Sequence, residues 1–237
     1  MNKQKTFATF SILFLLIPSV VIFGAIFFKE KFYSWLSLCV AILSCLPLFY
    51  AYERRDVSSQ EQTVLAVLVA ISALGRFVFA WIPGFKPVTA LTVIAAVWLG
   101  KEAGFIVGSL SAVISNFYFG QGPWTPFQMF AWGAIGFFAG VLSKPLSKNK
   151  ILLCVYGAFA ALFYSATMDT WTVIWADNAF AISRFFAAFI ASAPVTAEYA
   201  VSNIIFLIIL SKPFGDKLFR LKKKYGLFLQ KEKPKGF

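Results

Sequence analysis

Residues 117–133 have the sequence Phe-Tyr-Phe-Gly-Gln-Gly-Pro-Trp-Thr-Pro-Phe-Gln-Met-Phe-Ala-Trp-Gly and join two apolar segments of the chain. The stretch carries no charge, and its aromatic rings suit the surface of a membrane, where such residues concentrate. Pro123 and Pro126 fix the backbone φ angle, while Gly120 and Gly122 let the backbone approach a bound molecule closely. The stretch predicts a rigid aromatic loop that contacts a ligand; an aromatic interface belt with a tight turn is the alternative.

Apolar runs of membrane-spanning length recur on both sides of this loop. The chain has 237 residues, of which 59% are hydrophobic, and its mean hydropathy is +0.76. About 20 apolar residues in a helix cross a ~30 Å hydrocarbon core. We therefore predict an all-α polytopic membrane bundle with eight spans, at residues 7–28, 32–52, 63–82, 88–100, 103–119, 127–142, 151–168 and 186–210.

The most polar internal stretch, residues 53–62, divides this bundle. It predicts a cytoplasmic linker between an N-terminal transmembrane hairpin, residues 1–52, and a six-helix unit, residues 63–211. A basic tail, residues 212–237, follows the unit.

The distribution of charge orients the spans. The net charge is +12, and with the N-terminus inside, 17 of the 22 lysines and arginines fall on the inner side. Such a bias is typical of cytoplasmic loops. The sequence therefore predicts that both termini are cytoplasmic and that the tail lies near anionic lipid, and it disfavours a nucleic-acid partner.

The residue inventory disfavours an enzyme. The chain has no histidine, and its three cysteines, Cys39, Cys45 and Cys154, lie in predicted spans without a metal-binding spacing. No phosphate-binding loop of the GxxxxGK[ST] type occurs. We expect neither a metal nor a catalytic cofactor, and any use of ATP must come from a partner protein.

Two ionisable residues, Arg76 and Glu198, fall inside predicted spans. A charge at the centre of a membrane costs about 2.5–3.5 kcal/mol on the most permissive scale, so each side chain needs a partner or a wet cavity. A salt bridge between the two, an amide partner such as Asn203, direct contact with a ligand and, for Arg76, snorkelling all remain possible. Intramembrane charges also favour an alternative function, an autonomous ion-coupled carrier of a small nutrient.

Amides and turn residues gather on the predicted outer side. Asn116 and Gln128 flank the aromatic loop, and we expect them to contact a ligand rather than cap helix ends. Residues 81–87, Trp-Ile-Pro-Gly-Phe-Lys-Pro, predict a loop that folds inward over a cavity. The stretch 169–184 predicts a further outer loop with two acids and two tryptophans.

Small residues four apart mark helix faces that another helix can approach closely. Two glycine pairs, Gly104/Gly108 and Gly136/Gly140, favour packing inside the bundle. The pair Ala66/Ala70 lies near the cytoplasmic end of its helix and suggests a face for a second protein; a non-transporting scaffold that uses these faces is a further alternative.

Residues 60–212 resemble the substrate-binding S component of an energy-coupling factor (ECF) vitamin transporter. The resemblance depends on the Ala66/Ala70 face, on residues 82–88 (Ile-Pro-Gly-Phe-Lys-Pro-Val), and on the segment from Phe119 to Gly133. The extra hairpin, residues 7–52, departs from the six-helix pattern of that family.

The resemblance implies a multi-pass protein of the bacterial cytoplasmic membrane that binds a vitamin from outside. It implies docking onto a coupling membrane protein driven by two cytoplasmic ATPases, through Ala66, Ala70 and Ala73. The expected substrate-binding residues are Arg76, Phe85, Lys86, Asn116, Gln121, Trp124, Gln128, Trp132, Asp169, Trp171, Trp175 and Glu198.

The choice of vitamin is a separate prediction. The two loop sequences look most similar to S components of the cobalamin type, and a wide aromatic mouth would suit a corrinoid. Riboflavin, pantothenate or a queuosine precursor would also suit aromatic and amide groups.

Overall fold

The fold was analysed in a computed structural model that describes residues 58–177 and 180–228, together with the single positions Ser19, Cys39 and Leu43. Apart from these three positions, the predicted N-terminal hairpin therefore lies outside the described residues. Within them every regular element is a helix: α1 (Ser59–Val78), α2 (Val88–Leu99), α3 (Lys101–Phe119), α4 (Thr125–Val141), α5 (Ser143–Lys148), α6 (Lys150–Asp177), α7 (Ile182–Ala191) and α8 (Ala193–Tyr225).

Four of these helices, α1, α3, α6 and α8, are long and apolar enough to cross a membrane. The helices α2 and α7 are apolar but shorter. The predicted polytopic helical bundle is confirmed.

The predicted spans 88–100, 103–119 and 127–142 agree with α2, α3 and α4 to within two residues. Gly100 separates α2 from α3 with a φ of 115°, a backbone conformation that L side chains rarely adopt. The tight turn at Gly100 therefore follows from the sequence itself.

Helix α1 starts and ends about four residues before the predicted span 63–82. Its first turn lies in the predicted linker, because the Ser58 side chain accepts a hydrogen bond from the Glu61 N–H at 3.2 Å and caps the helix. The polarity of residues 59–62 therefore did not indicate that they form the first turn of α1.

The last two predicted spans are wrong at their ends. Helix α6 does not stop at residue 168 but continues to Asp177, so the predicted outer loop from Asp169 is largely helical. The predicted span 186–210 is interrupted at Ser192, with Pro194 in the first turn of α8. Helix α8 then runs through 33 residues, about 50 Å, into the predicted tail.

The glycine pairs bring α3 and α4 into close contact. A Cβ atom on Gly104 would lie 2.7 Å from the Gly136 carbonyl oxygen, and one on Gly108 would overlap the Trp132 carbonyl group. Only glycine allows this approach, so the expected packing role of both pairs is confirmed.

The bundle has two chemically different ends. The basic end contains the start of α1, the α2–α3 turn, α5, the start of α6 and the end of α8. At this end the Lys222 ammonium group donates a hydrogen bond to the Trp98 carbonyl at 3.3 Å. Ten of the thirteen described lysines and arginines belong to the basic end. The aromatic end holds residues 79–87, residues 120–124, the end of α6, and α7.

Candidate functional site

Arg76 lies near the aromatic end of α1 with only 8% of its surface exposed. Its guanidinium group donates to the Ser115 hydroxyl and, at 3.2 Å, to Asn116 Oδ1. The same group lies 4.7 Å from the ring centre of Phe119 and 4.9 Å from that of Trp132, within the range of cation–π attraction. A buried charge is therefore held by hydroxyl, amide and aromatic groups.

A chain of hydrogen bonds leads from Asn116 across the bundle. Its amide nitrogen donates to Thr125 Oγ1 at 2.9 Å and to Gln128 Oε1 at 2.8 Å. Gln128 in turn donates to the Tyr164 hydroxyl at 3.1 Å. The network thus connects α1, α3, α4 and α6, and it satisfies polar side chains that would otherwise be costly to bury.

Aromatic rings form one wall of this region. The rings of Trp132 and Tyr164 stack with their centres 4.8 Å apart, and Tyr199 of α8 meets Tyr164 edge to face at 5.5 Å. The Trp132 indole N–H donates to Thr89 Oγ1 at 3.2 Å, which fixes the ring against α2. The wall is therefore rigid and has few rotatable bonds.

Residues 79–87 close the region from the aromatic end; we call them the cover loop. The Lys86 N–H donates to Ser202 Oγ at 2.9 Å, and the Lys86 ammonium group donates to the carbonyl groups of Phe79 and Ile82 at 3.2 and 2.8 Å. Partial burial, and secondly the charge of Arg76, lower the pKa of Lys86 below its ordinary value. Gly84 permits the turn with a φ of 66°.

A cavity of about 80 Å³ lies between the cover loop and the aromatic wall. Three of the predicted binding residues line it, namely Arg76, Lys86 and Trp132. The other lining residues are Gly84, Val88, Thr89, Ala161, Tyr164, Tyr199 and Asn203. Cationic, hydroxyl, amide and aromatic groups converge here, which is the composition of a small-molecule site.

A tryptophan cluster lies farther toward the aromatic end. Trp171 and Trp175 are one helical turn apart on α6 and stack at 6.0 Å, while Trp124 approaches Trp171 edge to face at 5.9 Å. Asp169, also on α6, accepts a hydrogen bond from the Ser192 hydroxyl at 2.7 Å, which ties α6 to the α7–α8 junction.

Comparison with known proteins identifies the family. A family model described as "ECF-type riboflavin transporter, S component" matches residues 56–217. The chain belongs to this family of S components. No curated protein and no solved structure matches the chain.

Membership makes this S component a subunit of a transport system and a multi-pass membrane protein, as predicted from the sequence. It also implies association with an ECF module of membrane protein and ATPases. The similarity to S components of the cobalamin type stays a prediction.

Several predicted site residues of the S component lie outside the cavity. The Phe85 ring packs against Phe79 and Phe206, with ring centres 5.7 and 4.8 Å apart. Gln121 is exposed and donates to the Val113 carbonyl at 2.9 Å. Both residues support the loops that surround the cavity.

The proposed salt bridge between Arg76 and Glu198 does not form. Arg76 bonds to α3 as described, and Glu198 is an exposed residue whose side chain lies against Gly84, where an added Cβ would be 2.6 Å from the carboxylate. Asn203 is no partner of Glu198 either, since its amide donates to the Gly157 carbonyl at 2.9 Å. In the neighbouring turn of α8 the buried residue is Thr196, whose hydroxyl donates to Ser165 Oγ at 2.7 Å.

Sequence reasoning missed five polar groups of the cavity or its network: Thr89, Ser115, Thr125, Tyr164 and Tyr199. One feature of the sequence could have indicated that Tyr199 faces the cavity. Tyr199 and Asn203 are polar residues four apart inside an apolar helix, a spacing that places both on one face. Polar side chains within spans tend to point toward the bundle interior or a cavity.

The predicted docking face on α1 is accessible. Ala66 and Ala70 are exposed and Ala73 is half-buried. Leu74 and Phe77 on the same helix expose 61% and 49% of their surface. Within the described part of the chain, the face is thus apolar and no large side chain covers Ala66 or Ala70.

Proposed function

We propose that this S component captures a vitamin at its aromatic end and passes it inward with the help of partner proteins that hydrolyse ATP. The observation that supports this most strongly is the cavity beneath the cover loop, which lies within the region matched by the family. Its buried arginine, amides and stacked rings suit a neutral ligand with an aromatic body and hydrogen-bonding edges.

Riboflavin is the substrate that we favour. Its isoalloxazine ring is flat, presents carbonyl and N–H groups along one edge, and would stack on rings such as Trp132 and Tyr199. Arg76 and Lys86 would donate to the ring carbonyls. The family description, which names riboflavin, supports the same choice.

Cobalamin is the second candidate. The tryptophan cluster of Trp124, Trp171 and Trp175 gives the aromatic end a broad apolar rim, which favours a larger ligand. A corrinoid, however, would require a much greater enlargement of the cavity than a flat ring system.

The cavity must open for either vitamin. Its volume of about 80 Å³ is below the roughly 300–1,000 Å³ of typical ligand pockets. The cover loop is the wall that most easily moves, because its hydrogen bonds to α8 are a single pair, between the Lys86 backbone and the Ser202 hydroxyl. We infer that substrate entry displaces this loop and that its return encloses the ligand.

Delivery depends on the partners. We propose that Ala66, Ala70 and Ala73 dock onto a coupling membrane protein that is driven by two ATPases. The excess of lysine and arginine at the basic end supports an orientation with that end in the cytoplasm, where the ATPases lie.

A ligand titration tests the proposed function. The purified full chain in lipid nanodiscs is titrated with riboflavin, and quenching of flavin fluorescence reports binding. We expect saturable binding of riboflavin that excess cyanocobalamin does not prevent. Saturable binding of cyanocobalamin with no binding of riboflavin would support the second candidate.

A transport assay separates the S component from an autonomous carrier. The chain alone in liposomes should bind vitamin but not accumulate it under an ion gradient. Ion-driven accumulation by the chain alone would overturn the proposal.

A further inference from the structure

A second cavity lies at the basic end, away from the vitamin cavity. It has a volume of about 170 Å³ and is bordered by α2, α5, α6 and α8. The α2–α8 side is preformed, because a Cβ on Gly215 would lie 2.5 Å from the Trp98 indole ring and Lys222 donates to the Trp98 carbonyl.

The rim of this cavity carries an excess of positive charge. Lys150, at the start of α6, and Lys212, on α8, both line it and are exposed. Asp216 is the one acidic residue in the lining, and it forms no salt bridge with either lysine. Two ammonium groups therefore remain available, and Ser211 adds a hydroxyl group.

The floor of the cavity is apolar. Ile94, Leu146 and Leu153 line it and are almost fully buried. Exposed aliphatic side chains continue beyond the rim on both neighbouring helices, since Ile151 adjoins Lys150 and Ile208 lies one turn from Lys212. A cationic rim above apolar surface suits an amphiphile with an anionic head.

We propose that this cavity binds the phosphate group of an anionic phospholipid. Lys150 and Lys212 pair with the phosphate oxygens, the Ser211 hydroxyl donates to one of them, and the acyl chains lie along the outer surfaces of α6 and α8. The volume is too small for a whole nucleotide, whose pocket would be several hundred Å³. A bound lipid would connect the α5–α6 segment to α8 at the basic end.

Native mass spectrometry of the full chain tests the site. The protein is released from nanodiscs that contain phosphatidylglycerol and phosphatidylcholine in equal amounts, and retained lipids are counted. We expect one tightly retained phosphatidylglycerol, and a loss of its affinity by about tenfold or more in the double variant Lys150→Gln/Lys212→Gln, since each basic residue adds to the attraction.

Two control variants keep the result interpretable. Lys217→Gln/Lys223→Gln removes the same charge from α8 outside the cavity and should retain the lipid. Lys150→Arg/Lys212→Arg keeps the charge and should also retain it. Equal retention by the wild type and the Lys150→Gln/Lys212→Gln variant would overturn the proposal.

Competition separates a lipid from a free phosphate. Inorganic phosphate and glycerol 3-phosphate are added at millimolar concentration before release. If they bind in a Lys150- and Lys212-dependent manner while phosphatidylglycerol shows no preference over phosphatidylcholine, the lipid assignment is wrong. If they fail to displace the lipid, the assignment is supported.

Discussion

The Arg76 side chain has both polar and aromatic contacts around the cavity that we propose binds the vitamin. One guanidinium group bonds to Ser115 and Asn116 and faces the rings of Phe119 and Trp132. The planar, forked geometry of arginine permits these contacts together, and lysine cannot reproduce them.

Replacing this arginine tests that arrangement. Arg76→Lys should weaken riboflavin binding about tenfold and lower the free energy of unfolding by about 1–3 kcal/mol, because hydrogen bonds to a buried charged group are lost. Fluorescence titration and thermal unfolding measure the two effects. Arg184→Lys, at an exposed arginine paired with Asp177, is the control and should change neither. Unchanged binding by Arg76→Lys would show that the guanidinium geometry is not needed.

The Tyr164 hydroxyl is the last member of the polar network. Tyr164→Phe keeps the ring but leaves the buried Gln128 amide without its acceptor, at a cost of about 1–3 kcal/mol. We expect a lower unfolding temperature and weaker riboflavin binding. Tyr118→Phe is the matched control, because Tyr118 is 63% exposed. If both variants unfold at the same temperature as the wild type, the network contributes nothing to stability.

The types of side chain in the site could be predicted from the sequence, but the hydrogen-bond partner of each side chain could not. A charge or an amide inside an apolar span is visible in the sequence, and Arg76, Asn116 and Gln128 all lie in the observed network. The sequence did not reveal that Arg76 bonds to α3 rather than to Glu198, because that choice depends on which helices are neighbours.

Among the elements, the cover loop is the one that we propose to control access to the cavity. Gly84 has a φ of 66°, and an added Cβ would lie 2.7 Å from the Glu198 Cβ. A left-handed conformation costs an L residue about 1–2 kcal/mol. The closed loop therefore depends on a glycine at this position.

Substituting the glycine should favour the open loop. Gly84→Ala should speed riboflavin dissociation, with a smaller effect on association, because the closed state is strained and the open state is not. Stopped-flow fluorescence measures both rates. Pro83→Ala, at an exposed neighbour in the same loop, should leave dissociation nearly unchanged. An unchanged dissociation rate in Gly84→Ala would count against the cover-loop model of enclosure.

The α1 face is the element proposed to meet the coupling protein. Ala70→Leu adds bulk to a smooth exposed surface and should reduce recovery of the coupling protein and ATPases in a pull-down, while riboflavin binding stays unchanged. Ala187→Leu makes the same change at an exposed alanine of α7 and should not affect recovery. Full recovery with Ala70→Leu would place the docking surface elsewhere.

Across the whole molecule, charge separates the two ends. The basic end holds most of the described lysines and arginines, whereas four of the six described tryptophans, Trp81, Trp124, Trp171 and Trp175, lie at the other end. This asymmetry predicts the orientation of the bundle in the membrane, because basic loops are retained in the cytoplasm.

Cysteine labelling tests that orientation. Single cysteines are introduced at Gln121 and at Lys148, both exposed, in a variant whose three native cysteines are replaced by serine. A membrane-impermeant maleimide added to intact cells should label position 121 and not position 148. The reverse pattern would invert the proposed topology and place the vitamin cavity on the cytoplasmic side.

The class of fold, the approximate bounds of α2, α3 and α4 and the chemistry of the two ends could be predicted from the sequence alone. These properties are local, since a helix in lipid must satisfy its own backbone groups and reveals itself by apolar length. Which side chains form the cavity depends on the packing of the helices against one another. Thr89 bonds to Trp132 across 43 residues and Arg76 to Asn116 across 40, and such pairs depend on how helices pack rather than on any one helix.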